Sequence, residues 1–189
     1  MSKLFAVTGQ SNLKNSAKRA VDTEILLREV QSQPRDSGRY MQAVARMNYL
    51  HTRYRKAGKI LDDDLLHTLG DNVVEIFRIV DGSEWRRLSD VEKCAIGIFH
   101  MQLGEDMDIP FGNLPSCEAG WKDGLQFALE LRDWTVQYAE RVAKPNKPSD
   151  HYVRVYVDGA TSKLPRAVTI FVRKVLGAEL DDAMRSSLK

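Results

Sequence analysis

The chain has 189 residues, with 28 Lys and Arg against 26 Asp and Glu, 43% hydrophobic and 29% charged. That length and balance suit one domain, residues 1–189, with a sizeable core, and a net charge of +2 excludes bulk attraction to a polyanion. The sequence contains no apolar run long enough to span a bilayer, and the apolar stretch after Met1 is too short for a secretory signal, so the chain as written is expected to be soluble and cytoplasmic.

In chain order, a first helix is expected from residue 12 or 16 to 30, carrying Ile25, Leu26 and Leu27, with Pro34 and Gly38 ending the region. Ser37 is the expected N-cap of a second helix through Met41, Val44, Met47, Leu50, His51 and Tyr54, closed by Gly58. Asp62 or Asp63 caps a third through Leu65, Leu69, Val73, Ile76, Phe77 and Val80, with Asp81-Gly82 as its stop. Ser89-Asp90-Val91-Glu92 is a complete capping box opening a fourth helix, expected to run to about Leu103 and end at Gly104. Residues 105–116 read as an ordered loop, and a long helix is expected over about 117–143. Pro145 and Pro148 then mark one soft boundary, at 143–149. The stretch 152–157 alternates like a strand. A lone strand would have no partner, so helix is preferred there, followed by an apolar helix over 165–176 and a polar one at the end.

Two cysteines, Cys94 and Cys117, have no metal-type spacing, and Cys94 in its apolar run is expected to be a buried free thiol. No nucleophile elbow, P-loop or Gly-rich dinucleotide motif is present. Trp85, Trp121 and Trp134 are expected in the core or lining a pocket, and Asp62-Asp63-Asp64 as a helix-start cap.

The second helix is the most informative segment. At about 100° per residue, Val44, Met47, Asn48, His51, Tyr54 and Arg55 share one broad face, whereas Arg46 and Arg53 lie away from it. A neutral imidazole on a packed helix is what axial haem ligation requires, and an arginine one turn on can bond a propionate. The ordinary alternative for a histidine on an apolar face is a hydrogen-bonded core residue. On the first helix, Arg19 and Thr23 share a face and can line a polar pocket, although Arg19 paired with Asp22 or Glu24 is the simpler expectation.

Residues Arg46-Met47-Asn48-Tyr49-Leu50-His51-Thr52-Arg53-Tyr54-Arg55-Lys56-Ala57-Gly58-Lys59-Ile60 resemble the signature of fungal mpaB-type, ER-bound oxygenases. These share a catalytic domain with bacterial latex-clearing proteins, the rubber oxygenases. The resemblance continues through Lys18-Arg19, Asp22-Thr23-Glu24, Glu84-Trp85-Arg86, Ser89-Asp90-Val91-Glu92-Lys93-Cys94-Ala95 and Gly120-Trp121-Lys122-Asp123-Gly124, covering most of 15–135. It implies an all-α, globin-related helical bundle, one haem b, and cleavage of carbon–carbon double bonds in a hydrophobic isoprenoid by O₂. By position, His51 matches the iron ligand, Arg19 and Thr23 the distal pair, and Arg55 a basic residue near the haem.

The chain departs from that pattern in three places. Asp22 stands where rubber-cleaving relatives have a distal lysine. The chain begins eighteen residues before Arg19, where fungal relatives carry a longer part with a hydrophobic anchor. Gly70-Asp71-Asn72-Val73 places polar residues where an apolar helix is expected. Membrane association, and with it residence at the endoplasmic reticulum, is therefore expected only through a segment outside these residues. The alternative function is a catalytically inactive helical interaction domain derived from such an oxygenase. A nucleic-acid surface built from Arg46, Arg53, Arg55, Lys56 and Lys59 with Tyr49 and Tyr54 is opposed by the small net charge, so no nucleic-acid partner is expected.

Overall fold

The structure, a computed structural model, describes residues 13–142 (without the side chains of 13, 14, 16 and 17) and residues 158, 161, 164, 165, 168–172 and 175. Among the described residues every regular element is helical, as expected: α1 Leu13–Ser32, α2 Gly38–Lys56, α3 Asp62–Ser83, α4 Asp90–Asp106 and α5 Gly124–Val142. Backbone contacts divide the chain into two compact units, Met1–Gln31 with Ala143–Lys189, and Ser32–Val142.

In the first unit, α1 is stapled along its surface by the Lys18–Asp22 pair and by Arg28–Glu24 at 2.8 Å, both at i,i+4 spacing. Val21 and Ile25 are exposed, Leu26 and Leu27 half-buried and Val30 buried. Of the expected helix over 165–176, residues 168–172 and 175 are helical. The alternating stretch 152–157 and the terminal polar helix lie outside the described residues.

In the second unit, local chemistry sets most helix ends. The Ser37 side chain accepts the Tyr40 amide at 3.2 Å, opening α2. At its other end Gly58, with φ +62°, occupies the left-handed position of a Schellman turn, with Gly58 N donating to Arg55 O and Lys59 N to Tyr54 O, both at 2.9 Å. The acidic run opens α3 with a shift in roles: Leu61 is the N-cap residue, and the Asp64 carboxylate reaches back to accept its amide at 3.0 Å. The box before α4 forms as expected, with Glu92 N donating to Ser89 Oγ at 3.4 Å and Ser89 N to Glu92 at 2.9 Å.

Packing sets the remainder. Leu65, Leu69, Val73 and Phe77 recur every fourth residue on α3 and are buried with Leu66, Leu103 of α4, and Phe127, Ala128 and Leu131 of α5. Each such side chain contributes about 1.5–3 kcal/mol by leaving water. Asp71 and Asn72 are exposed while their neighbours Gly70 and Val73 are buried, so the polar pair occupies the solvent face of an amphipathic helix.

Three glycines let the helices approach closely. A Cβ at Gly97 would lie 1.8 Å from the Gly124 carbonyl oxygen, one at Gly70 1.9 Å from Thr135 Oγ1, and one at Gly104 2.5 Å from Phe111 Cζ. Gly104 is therefore a contact inside α4 and not its end; the helix continues to Asp106. The next helix begins at Gly124 instead of about 117. Residues ahead of it are held by Glu130, which accepts Ser116 N at 3.0 Å, Ser116 Oγ at 2.7 Å, and Trp121 Nε1 and Gln126 Nε2 at 2.9 Å. Edge-to-face contacts among Phe111, Trp121 and Phe127 close the same corner. Two burial expectations fail. Trp85 is 88% exposed, with Arg86 over its ring, and the Cys94 thiol, free like that of Cys117, is only half-buried.

Candidate functional site

Helix α2 buries Tyr40, Ala43, Val44 and Met47, and His51 continues that face one turn beyond Met47. The His51 ring is half-buried; its Nδ1 is fully buried and has no hydrogen-bond partner among the described residues. Burial, and secondarily the nearby Arg55 guanidinium, hold its pKa below the ordinary histidine value. The ring is thus neutral at neutral pH, with one nitrogen uncommitted to the protein, which is the state in which an imidazole can coordinate a metal.

The helix is fixed along this face by the end of α4. Tyr40 donates its hydroxyl to Asp106 at 2.7 Å, Asn48 Nδ2 donates to the Asp106 carbonyl at 2.8 Å, and Arg55 Nη1 donates to the Asp108 carbonyl at 3.1 Å. Arg35 clamps the same Asp106 carboxylate with two bonds, at 2.6 and 2.8 Å, and reaches Glu105 at 3.2 Å. The Arg35 guanidinium holds Asp106 below the usual carboxylate range, and burial with the Asp106 bond raises the Tyr40 phenol. The carbonyl that meets Arg55 is presented by a Schellman turn in which Asp108, at φ +52°, takes the left-handed position. In that turn Asp108 N donates to Glu105 O at 3.0 Å and Ile109 N to Gly104 O at 2.9 Å. Aspartate tolerates this conformation better than most residues. Arg55 completes its tie through Nη2, bonded to Asp62 at the start of α3 at 2.7 Å. Three points on α2, spaced along the chain on either side of His51, are therefore fastened to residues 106–108.

The structure brings His51 and Arg55 together on α2. Arg19 and Thr23 stand one turn apart on α1, in the first unit, with Arg19 half-buried and Thr23 exposed. The carboxylates expected to pair with Arg19 bond other cations, Asp22 to Lys18 and Glu24 to Arg28. Tyr40, Asp106 and Arg35 carry no local sequence signal for their role, because their partners lie some seventy residues away in the chain.

The other described histidines are committed. His100 is 3% exposed, and its Nδ1 is 2.8 Å from the Ile96 carbonyl. His67 packs against Tyr138, ring centroids 5.2 Å apart, and Tyr138 stacks on Trp134. Among the described residues no three His, Cys, Asp or Glu side chains cluster as a metal set. An open groove of about 560 Å³ is lined by Asp63, Asn113, Trp134, Gln137, Glu140 and Arg141; it is polar and none of the four candidate residues lines it. No described helix is long and apolar enough to cross a membrane.

Three curated fungal proteins are similar to this chain. An ER-bound oxygenase mpaB′ of Penicillium brevicompactum is 36% identical over 193 aligned positions, covering 100% of this chain and 45% of that protein. An ER-bound oxygenase mpaB of the same organism is 39% identical over 165 positions, covering 87% and 41%. One from Penicillium roqueforti is 34% identical over 193 positions, covering 100% and 63%. The chain thus spans roughly half the length of these relatives. No family model and no solved structure matches it.

Proposed function

We propose, from the premise that this chain is mpaB-like along its whole length, that it is the haem-holding part of an oxygenase, an oxidoreductase whose substrate is a hydrophobic isoprenoid cleaved at a carbon–carbon double bond with O₂. The observation that carries this reading is the buried, unpartnered Nδ1 of a neutral His51 on a helix fastened on both sides of it. Leaving such a polar atom unsatisfied costs about 1–3 kcal/mol, and few native structures retain that cost without a use for it. Ligation of haem iron would call for a neutral imidazole on a fixed helix, and His51 meets both conditions.

Haem bound at His51 would supply the oxygen chemistry, and the protein's share is orientation and electrostatics. His51 would hold the iron. Arg55 would bind a propionate through the guanidinium whose Nη2 now holds the Asp62 carboxylate at 2.7 Å. By the family resemblance, Arg19 and Thr23 on α1 would serve as hydrogen-bond donors toward O₂. An apolar substrate is held by burial, at about 0.8 kcal/mol per CH₂. The alternative of an inactive interaction domain loses one of its grounds, since Asp71 and Asn72 face solvent as in any amphipathic helix.

The test is a haem titration of the purified chain followed by absorption spectroscopy. The expected outcome is a saturable one-to-one Soret band that His51→Ala abolishes. An identical spectrum in that variant removes the ligand assignment. A folded chain that takes up no haem moves the function to its interaction surfaces.

A further inference from the structure

The face of α2 opposite His51 has no part in the proposed chemistry. Arg39, Gln42, Arg46, Tyr49, Arg53 and Lys56 follow one another at alternating spacings of three and four, and all are exposed. At about 100° per residue they form a single stripe roughly half a turn from His51. The helix contains five cations and no acidic residue. Among the described residues, Arg46, Arg53 and Lys56 make no ion pair, whereas Arg55, on the other face, is held by Asp62. Single-sign cations in a row repel one another, and no carboxylate of the helix offsets them. Tyr49, 66% exposed, adds apolar surface within the stripe, and Leu50, 37% exposed, adds it at the stripe's edge.

We propose that this stripe docks the protein on an anionic phospholipid surface, a route to a membrane that needs no spanning segment. The partner follows from charge and from shape. Lysine and arginine bond lipid phosphates, while a tyrosine with its polar tip and an aliphatic neighbour suits the headgroup boundary. A nucleic acid would call for a groove with free aromatic faces on which bases stack. Here the stripe lies on a convex helix, and the Arg46 guanidinium sits 5.6 Å over the Tyr49 ring, covering one of its faces. Docking through this side leaves the His51 face turned toward the protein interior, so the two surfaces are separable by mutation.

The experiment is flotation of the purified full chain with vesicles of phosphatidylcholine alone and of phosphatidylcholine mixed with phosphatidylserine. Binding is expected only to the mixed vesicles and declines as salt rises, because exposed charges are screened within about 10 Å at 0.1 M salt. Each cation near such a surface strengthens partitioning about fivefold, so R46Q/R53Q/K56Q together lower it roughly a hundredfold. The charge-preserving R46K/R53K keeps it, and Tyr49→Ser gives a smaller loss. Helical circular dichroism and a cooperative thermal unfolding transition of the triple variant serve as the control for folding. Equal binding to neutral vesicles, or a folded triple variant that binds like the wild type, overturns the proposal. Preference for an oligonucleotide over anionic vesicles at equal salt overturns it too and assigns the stripe to nucleic acid. Should the triple variant fail to fold, Arg53→Gln against Arg53→Lys decides, and equal binding by both sinks the idea.

Discussion

His51 on α2 and His100 on α4 begin from the same sequence circumstance, a histidine on the apolar side of a helix, and end in opposite states. His100 is wholly buried and its Nδ1–H is satisfied by the carbonyl one turn back, at 2.8 Å, within its own helix. His51 is less buried, yet its Nδ1 has no partner, while its flanking residues Asn48 and Arg55 both reach carbonyls of 106–108. Burial alone therefore does not mark a functional histidine. The distinguishing feature is a polar atom left unsatisfied on a helix that its neighbouring side chains tie to residues 106–108.

The sharpest way to break the comparison is to exchange the two losses. His51→Ala should abolish haem uptake and cost about 1 kcal/mol or less in unfolding free energy, since no hydrogen bond is removed. His100→Ala should retain the haem band and cost about 2–4 kcal/mol, from a cavity and a lost bond, read as a shift in the urea midpoint. If both variants lose haem with equal destabilisation, the distinction is structural and not functional. A second orphan sharpens it further. Thr135 is 2% exposed with no partner for its hydroxyl, and it abuts Gly70. Thr135→Val, nearly equal in shape, should raise stability by about 1 kcal/mol without altering haem uptake, because an unsatisfied buried hydroxyl is removed. A loss of stability would reveal a partner for that hydroxyl in solution.

The smallest signal is in pH. Burial lowers the pKa of His51, His67 and His100 in the folded chain. The unfolded chain therefore binds more protons below about pH 6.5. The stability these rings allow is fully present above that value and is lost as pH falls through the folded pKa values. Denaturation of the apo-protein across this range should show that decline, partly flattened in His51→Gln. An unchanged slope would mean His51 is no more buried than in the unfolded chain.

Much of the fold is legible in the sequence because it is decided within one turn. Ser37, Gly58, and Ser89 with Glu92 act on backbone groups a few residues away, and they stand where the spacing places them. The errors share a cause. Gly104 looks like a stop, but Phe111 and Leu69 pack against it; the start of the last helix looks like Cys117, but Glu130 gathers that segment into a loop. Both are settled by residues on other elements. At the site, the face shared by His51 and Arg55 follows from helical spacing. The unpartnered state of Nδ1 does not, since it depends on what every neighbouring element fails to offer. Nor do the ties of Tyr40, Asn48 and Arg55 to 106–108, which only folding brings together.

The Gly97–Gly124 approach acts as a keyway between α4 and α5. With a carbonyl 1.8 Å from where a Cβ would stand at Gly97, and the Cys94 carbonyl 2.3 Å from where one would stand at Gly124, no side chain can stand between the two helices at this crossing. The segment between them is in effect a bridge with pinned abutments. The two glycines can change only together with the whole pairing of the helices. Among related chains, positions 97 and 124 should accordingly stay small or change as a pair.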